Sequence, residues 1–330
     1  MSTGSSAPLV TFIVPVLNDA ARLARCLDSI AANGAAGIEV IVVDNGSTDG
    51  SDKVAEGRGA ALIRKPHAPV SALRNAGAEA SRGDILAFVD ADHRIATGWV
   101  GAARSTLSEA RTAAAGAPYT SEGLTWVQRA YDGLRSRATT PRPVSWLGSG
   151  NLAVRRPAFL AVGGFDESLR TCEDVDLCRR LGNAGWLIVE DPRLESVHAG
   201  DPATLRDVCM GELWRGRDNL AVSFRRPLHW PTVASALIPL LELIATIGIV
   251  GSLAGGHMAA AASLVALVLA IVTARALRTC ANRHAWTPLA IAQSFLVAAC
   301  YEKGRTLGLV VNIGHRNERR RSVSEQAGAP

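Results

Sequence analysis

In Ile85-Leu86-Ala87-Phe88-Val89-Asp90-Ala91-Asp92, five apolar residues run straight into two carboxylates separated by one alanine. Such a run reads as a short buried strand, and residues two apart on an extended chain point to the same side. Asp90 and Asp92 are therefore expected to face one pocket at the carboxyl edge of a sheet, where open α/β sheets bind their ligands. Two hard oxygen donors at that place suit Mg2+ or Mn2+, ions commonly used to hold a diphosphate. The same residues also fit a plain polar exit from a strand, so their weight rests on their neighbours.

Upstream, Leu9–Val16 is rich in β-branched residues and ends in Leu17-Asn18-Asp19, a strand followed by helix-capping residues. Leu23, Leu27 and Ile30 recur at helical spacing, and Asn33-Gly34 stops that helix. Ile38–Val43 is a continuous apolar run, as a strand covered on both faces of a parallel sheet should be. It leads into Asp44-Asn45-Gly46-Ser47-Thr48-Asp49-Gly50-Ser51, turn and cap chemistry that opens a short helix. Ala60–Ile63 predicts a third strand, Val70–Ser81 a helix, and Ile85–Val89 the fourth strand. Strands alternating with helices imply right-handed βαβ units. The fold class is thus α/β, a mostly parallel Rossmann-like sheet flanked by helices.

Downstream the periodicity weakens. Trp99–Ala115 reads as a helix and Thr120–Thr140 as a polar connection. Trp146-Leu147-Gly148-Ser149-Gly150-Asn151-Leu152-Ala153-Val154 is a glycine-rich loop entering a strand, and Gly163-Gly164-Phe165-Asp166-Glu167 is a turn between packed elements. In Thr171–Leu181 the residues Val175, Leu177, Cys178 and Leu181 make an apolar helical stripe, and Glu173, Asp174 and Asp176 crowd the first turn. Acids there are stabilised by the helix dipole, by roughly 0.3–1 kcal/mol each, so plain helix stabilisation accounts for them too. Leu187–Val189 predicts another short strand, and Val197-His198 closes the region.

The 330 residues are long enough for one large domain and an appendage, and the apolar residues are unevenly spread. Residues 1–230 have the make-up of a soluble α/β protein, whereas 231–311 are Ala/Leu/Ile/Val-rich with few charges. Met1–Pro8 has no basic region and the apolar run after it is short and contains Pro15, so no signal peptide is expected. Cys26, Cys172, Cys178, Cys209, Cys280 and Cys300 form no C-x-x-C pair and no metal-finger spacing, which suits reduced thiols facing the cytosol. The net charge of +5 comes largely from late arginines beside apolar segments, which points to an anionic membrane surface rather than to nucleic acid.

Thr232–Gly255 is long enough to cross a bilayer, since about 20 apolar residues suffice. Its one acid, Glu242, should face a partner or a cavity. Ala259–Ala276 is a second span, and the short Gly255-Gly256-His257-Met258 link makes the two a hairpin. Arg225, Arg226 and His229 flank one side and Arg275, Arg278 and Arg283 the other, which by the positive-inside rule puts both flanks in the cytoplasm. Trp286–Val311, broken by Glu302, Lys303 and Arg305, reads as an interfacial helix. A soluble helical bundle over 232–311 is the other reading, against which the nearly charge-free composition counts. The expected division is a catalytic region at 1–225, with a nucleotide-binding half at 1–95 and an acceptor half at 96–225. Membrane-associated helices follow at 226–311, then a basic flexible tail at 312–330.

Taken together, four blocks resemble the family-2 glycosyltransferases of the A-type, nucleotide-sugar-binding fold: Val14-Pro15-Val16-Leu17-Asn18, Val42-Val43-Asp44-Asn45-Gly46-Ser47-Thr48-Asp49, Phe88–Asp92, and Gly163–Glu167 leading to Glu173-Asp174. Each block is weak alone, and their joint order is specific. The resemblance implies that Pro15 and Val16 line the base pocket and that Asp44 accepts a hydrogen bond from the base, besides capping its own turn. It implies a base- or phosphate-contacting Arg74, for which an exposed helical arginine is the alternative. Asp90 would contact the ribose or the metal shell, Asp92 would ligate Mn2+ or Mg2+, and Gly150 and Asn151 would lie beside the diphosphate and sugar. Asp174 would be the general base of an inverting transfer, with Glu173 and Asp176 as second choices. His198 resembles a histidine ligand or diphosphate contact, although a lone histidine is more often structural.

Processive synthases of this family carry Gln-x-x-Arg-Trp after the base. This chain has Gly211-Glu212-Leu213-Trp214-Arg215-Gly216-Arg217-Asp218, with Trp and Arg reversed and no Gln. Arg215 could still clamp the diphosphate, and the departure favours addition of a single sugar. The implied donor is a nucleoside-diphosphate sugar, with UDP favoured and GDP possible, and the acceptor a lipid-linked or glycan hydroxyl at the cytoplasmic membrane. Two other readings remain: a sugar nucleotidyltransferase, which would need a basic glycine-rich loop where Leu17-Asn18-Asp19-Ala20 stands, and a non-catalytic membrane subunit of the same fold.

Overall fold

The computed structural model describes residues 9–34, 36–225, 228 and 230–327. Arg226 and His229, part of the expected basic flank, lie outside the described residues, as do Met1–Pro8 and 328–330. Side chains at 312–327, which include the basic run from His315 to Arg321, are also outside them. The chain divides into two compact units, Met1–Glu122 with Ser136–Asp201, and Gly123–Arg135 with Pro202–Pro330. Residues 202–225, assigned from sequence to the catalytic region, belong to the second unit by this division.

In the first unit, β1 (Val10–Val16), α1 (Ala20–Ala31), β2 (Ile38–Asp44), α2 (Ser51–Gly57), β3 (Ala61–Arg64), α3 (Val70–Ala80) and β4 (Ile85–Val89) follow the expected alternation. Then come β5 (His93–Ile95), α4 (Trp99–Ser108), β6 (Thr112–Gly116) and β7 (Thr120–Ser121). After α5 (Trp126–Asp132), which belongs to the second unit, the chain returns with β8 (Arg142–Val144), β9 (Asn151–Arg155), α6 (Arg156–Ala161), α7 (Glu173–Asn183), β10 (Leu187–Glu190) and β11 (Ser196–His198). Eight strands form one sheet in the order β3-β2-β1-β4-β9-β6-β10-β8, parallel except for the antiparallel β9 and β8. A small second sheet, β5-β11-β7, sits beside the end of β4.

The central strands are buried on both faces, which is why they read as unbroken apolar runs. Alternate residues enter opposite cores. Phe12, Val14, Val42, Ala87 and Val89 pack on one side with Leu23, Leu27, Ile30 and Trp99. Ile13, Ile41, Val43, Leu86 and Phe88 pack on the other with Leu73, Phe165, Leu177 and Leu181. The apolar stripes of α1 and α7 thus cover the two faces.

Two expectations are corrected. The helix predicted over Trp99–Ala115 ends at Ser108, and Thr112–Gly116 is a fully buried strand. Beyond Thr112 its Thr-Ala-Ala-Ala-Gly sequence carries little strand propensity, but ladders to β9 and β10 on its two sides override that local preference. The polar connection Thr120–Thr140 holds β7 and the helix α5, which opens with a capping box between Thr125 and Gln128.

The second unit is helical: α5, α8 (Leu205–Arg215), α9 (Asn219–Ser223), α10 (Trp230–Ala254), α11 (Met258–Arg283) and α12 (Pro288–Ala327). Among the described residues, two helical segments are long and apolar enough to cross a membrane, Ser235–Ala254 and Met258–Arg283. Only 22% and 17% of them is buried within the chain, unlike the core helices of a soluble bundle. Glu242 is 4% exposed, and its Oε2 accepts a hydrogen bond from Thr306 at 3.0 Å, so the one acid of the first span has found a partner. α12 continues as helix through residues 312–327, where the sequence predicts a flexible tail.

Candidate active site

The parallel register pairs Val16 with Asp44, so β1 and β2 end side by side at the carboxyl edge of the sheet. Pro15 and Val16 are buried within β1. Asp44 is 3% exposed and accepts the Ser47 backbone N–H at 3.1 and 3.2 Å, capping its own turn. Each of its oxygens retains further acceptor capacity. The two loops are stitched together by Thr48 N–H donating to Asn18 Oδ1 at 2.8 Å and Ala20 N–H donating to Asp49 at 2.8 Å.

β4 stops at Val89, and Asp90–Asp92 form a turn closed by His93 N–H on the Asp90 carbonyl at 3.0 Å. The two carboxylates consequently differ in company. Asp90 Oδ1 accepts from Arg74 Nη2 at 2.6 Å, whereas Asp92 Oδ2 lies 3.0 Å from His198 Nε2 and 3.9 Å from Arg22. The alternation expected of a strand does not apply, because the strand has ended.

Arg74 is buried rather than an exposed helical arginine. Besides Asp90, it donates to Glu173 Oε1 at 2.7 Å, which also accepts from Ser149 Oγ at 3.2 Å. Burial lowers the pKa of this guanidinium, but Asp90 and Glu173 outweigh that and raise it. Arg74 therefore ties the end of β4 to the first turn of α7 across 99 residues of sequence.

Asp174, next to Glu173, remains partly exposed. Desolvation, reinforced by the negative charge of Glu173, pushes its carboxyl up to about 7, against the pull of the Val175 backbone N–H at 2.7 Å and of Arg74. Glu173 is held by a cation and a hydroxyl, while Asp174 is the member poised to take a proton near neutral pH. Asp176 is wholly buried between Arg179 at 2.9 Å and Arg180 at 2.7 Å, a structural setting.

In the small sheet, antiparallel register sets His198 opposite His93, with the rings 4.7 Å apart and Tyr119 against both. His198 Nδ1 is 2.8 Å from Asp201 Oδ1. Burial alone would lower the His198 pKa, but the bonds to Asp201 and Asp92 raise it to about 9. Asp92 is held below its ordinary value: His198 overcomes the desolvation that would raise it. One donor atom each from Asp92, His93 and His198 lie within 4.8 Å of one another. An oxygen and two imidazole nitrogens suit a divalent cation, and a carboxylate behind a ligating histidine is the usual outer support.

Two glycines keep these donors clear. A Cβ on Gly150 would meet Asp90 Oδ2 at 2.7 Å and His93 Nε2 at 3.1 Å. One on Gly200 would overlap Asp92 Oδ2 and stand 2.8 Å from His198 Nε2. Asn151, by contrast, spends its side chain on the framework. Its Oδ1 accepts from Trp99 Nε1 at 2.9 Å, and its Nδ2 donates to the carbonyls of Ala117 and Leu194 at 3.0 and 2.7 Å.

Arg215 lies in the second unit, where it donates to Glu212 at 3.1 Å and to the Tyr131 hydroxyl at 3.0 Å. Sequence reasoning missed His93, Ser149, Gly200 and Asp201. The aspartate three residues after His198 and the histidine directly after Asp92 were the available signals; Ser149 and Gly200 carried none.

Residues 11–158 match the model of the family described as "Glycosyl transferase family 2". The chain is 31% identical to the pre-mycofactocin glycosyltransferase of Mycobacterium tuberculosis over 321 residues, covering 91% of this chain and 64% of that protein. It is 54% identical over 67 residues to the N-acetylglucosaminyl-diphospho-decaprenol L-rhamnosyltransferase of the same organism, covering 20% of this chain and 22% of the relative. The chain thus spans less than two thirds of the length of these relatives. The mannosyltransferase PcManGT of Pyrobaculum calidifontis, solved with GDP-Man and Mn2+, shares the fold at a TM-score of 0.61 and 20% identity, with 91% of this chain and 88% of that one aligned. The order of its strands, its sequence blocks and these likenesses agree: residues 11–158 match the family-2 glycosyltransferases, and the chain shares the A-type fold.

Proposed function

We propose that this protein transfers a single sugar, with inversion, from a nucleoside-diphosphate donor to an acceptor hydroxyl at the cytoplasmic face of a membrane. The observation that carries the reading is the Arg74 bridge, which joins the D-x-D turn to the turn holding Asp174 within one unit. Asp44, Pro15 and Val16 form the base end of the donor site, and Gly150 gives the diphosphate room beside Asp90. Asp174, on the acceptor side, takes the proton of the attacking hydroxyl, and its carboxyl, raised to about 7, is matched to that task near neutral pH.

Asp92 and His198, with Asp90 nearby, are the residues that would hold Mn2+ or Mg2+. The ion, when bound, neutralises charge on the departing diphosphate. Asp201 holds His198 at its other ring nitrogen, and Gly200 leaves the approach open. The two long apolar helices support membrane association, and the arginines flanking them support a cytoplasmic catalytic face. A lipid-linked or membrane-proximal acceptor fits that reading.

A thermal-shift panel of UDP, GDP, CDP and TDP, each with and without Mn2+, tests the reading on the detergent-purified chain. A ligand specific to the folded state stabilises it by roughly 2.7 kcal/mol at a hundredfold excess over its dissociation constant. Stabilisation by one nucleotide only when Mn2+ is present supports the proposal and names the base. Absence of any shift across the panel counts against it.

A further inference from the structure

The metal reading above names Asp92 and His198 as ligands but not His93, the other imidazole of the cluster. We propose that His93 is a third protein donor to the ion, so that two imidazoles and one carboxylate hold it and Mg2+ is disfavoured. The inference rests on that metal reading and adds to it.

The geometry is set by the small sheet. Cross-strand pairing of β5 with β11 places His93 opposite His198, and Asp92 directly precedes His93. The donor atoms of all three lie within 4.8 Å of one another, and Asp92 Oδ2 and His198 Nε2 are already 3.0 Å apart. Donors that share one ion at bonds of about 2 Å lie about 3–4 Å apart, so the three would draw in around it. Each histidine has a partner at Nδ1: Asp201 Oδ1 at 2.8 Å for His198, and Ser196 Oγ at 3.2 Å for His93. Such contacts orient a ligating imidazole so that Nε2 faces the ion. The Nε2 of His93 borders the space that Gly150 leaves open, next to Asp90 Oδ2, as the Nε2 of His198 borders that of Gly200. His93 is also 1% exposed, so its ring is fixed by packing against Tyr119.

Donor chemistry then decides which ion enters. Mg2+ prefers oxygen ligands and gives up its waters reluctantly, whereas imidazole suits first-row transition ions, increasingly so from Mn2+, the weakest binder of the row, to the later ones. A carboxylate-only D-x-D site would accept Mg2+ and Mn2+ with little distinction; a site with two nitrogens discriminates.

The test is pulsed electron paramagnetic resonance of Mn2+ bound to the detergent-purified whole chain, counting coupled imidazole nitrogens. Two are expected in the wild type and one in His93→Gln. Titration should show the Mn2+ affinity of His93→Gln lower by about 10- to 100-fold with little change for Mg2+. A wild-type spectrum with a single coupled nitrogen overturns the role of His93 while leaving the metal reading intact. Absence of Mn2+ binding in the wild type overturns both, and the wild-type spectrum needs no variant to fold.

Discussion

Arg74 and Asp90 meet at 2.6 Å in an ion pair that is buried at the arginine and open at the carboxylate, whose side chain is 36% exposed. The buried end is completed by Glu173 at 2.7 Å. Replacing Arg74 with Ala strands the buried Glu173 carboxylate without its cation, a change that costs about 3 kcal/mol or more at buried pairs. Arg74→Lys restores the charge but not the fork that reaches two carboxylates at once. Thermal unfolding is expected to rank wild type, then Arg74→Lys, then Arg74→Ala. A Lys variant as stable as the wild type would show that charge alone suffices.

As the proposed base, Asp174 is expected to set the pH response. Its folded carboxyl is raised from 3.8 to about 7, so the folded protein holds a proton that the unfolded chain has lost between those values. Stability from this group is complete below about pH 4 and declines as pH rises toward 7. Catalysis needs the opposite form, so kcat/KM should climb through about pH 7. Asp174→Asn should lower kcat by about 100-fold or more while nucleotide binding, followed by thermal shift, persists. It should also flatten the decline in stability between pH 4 and 7. Unchanged turnover in this variant would remove Asp174 as the base.

Gly150 and Gly200 test whether the open space is used. A methyl group at Gly150 intrudes on Asp90 and His93, and one at Gly200 on Asp92 and His198. Gly150→Ala and Gly200→Ala should each reduce kcat/KM by roughly tenfold or more, about 1.4 kcal/mol of transition-state stabilisation. Steady-state kinetics beside circular dichroism separates this from unfolding. Wild-type kinetics in both variants would mean that no ligand occupies the space.

Asn151 should behave as a framework residue. Asn151→Ala removes the acceptor of Trp99 Nε1 and the donor to two buried carbonyls. Each orphaned buried group costs about 1–3 kcal/mol, so the principal effect is a lower unfolding temperature. A large rise in KM with unchanged stability would instead give Asn151 a contact with the donor.

The apolar helices predict that the chain stays in the membrane pellet after alkaline carbonate washing, because α10 and α11 expose most of their apolar surface. Protease added to inverted vesicles should cleave the catalytic unit, and protease added outside intact spheroplasts should not. The reverse pattern would overturn the cytoplasmic orientation.

Local chemistry made the first four strands and their helices legible, because β1 and β4 are apolar on both faces and α1 carries one apolar stripe. The same holds for the two long apolar helices, whose composition speaks without any partner. The D-x-D turn and the Glu173-Asp174 turn could likewise be named from their order along the chain. What pairs with what could not. β6 is an alanine-rich segment whose strand state comes from β9 and β10, remote in sequence. Arg74 reads from sequence as a donor contact or an exposed helical arginine, and only folding brings Asp90 and Glu173 to it. His93 and His198 are 105 positions apart and meet only because β5 and β11 pair. Asn151 opens β9 after a glycine-rich loop, where the family resemblance implies a ligand contact, yet its amide serves Trp99, Ala117 and Leu194. Periodicity and turn chemistry are local and can be read along a chain; charge pairing, ladder partners and the sharing of buried hydrogen bonds are settled by residues brought together in folding.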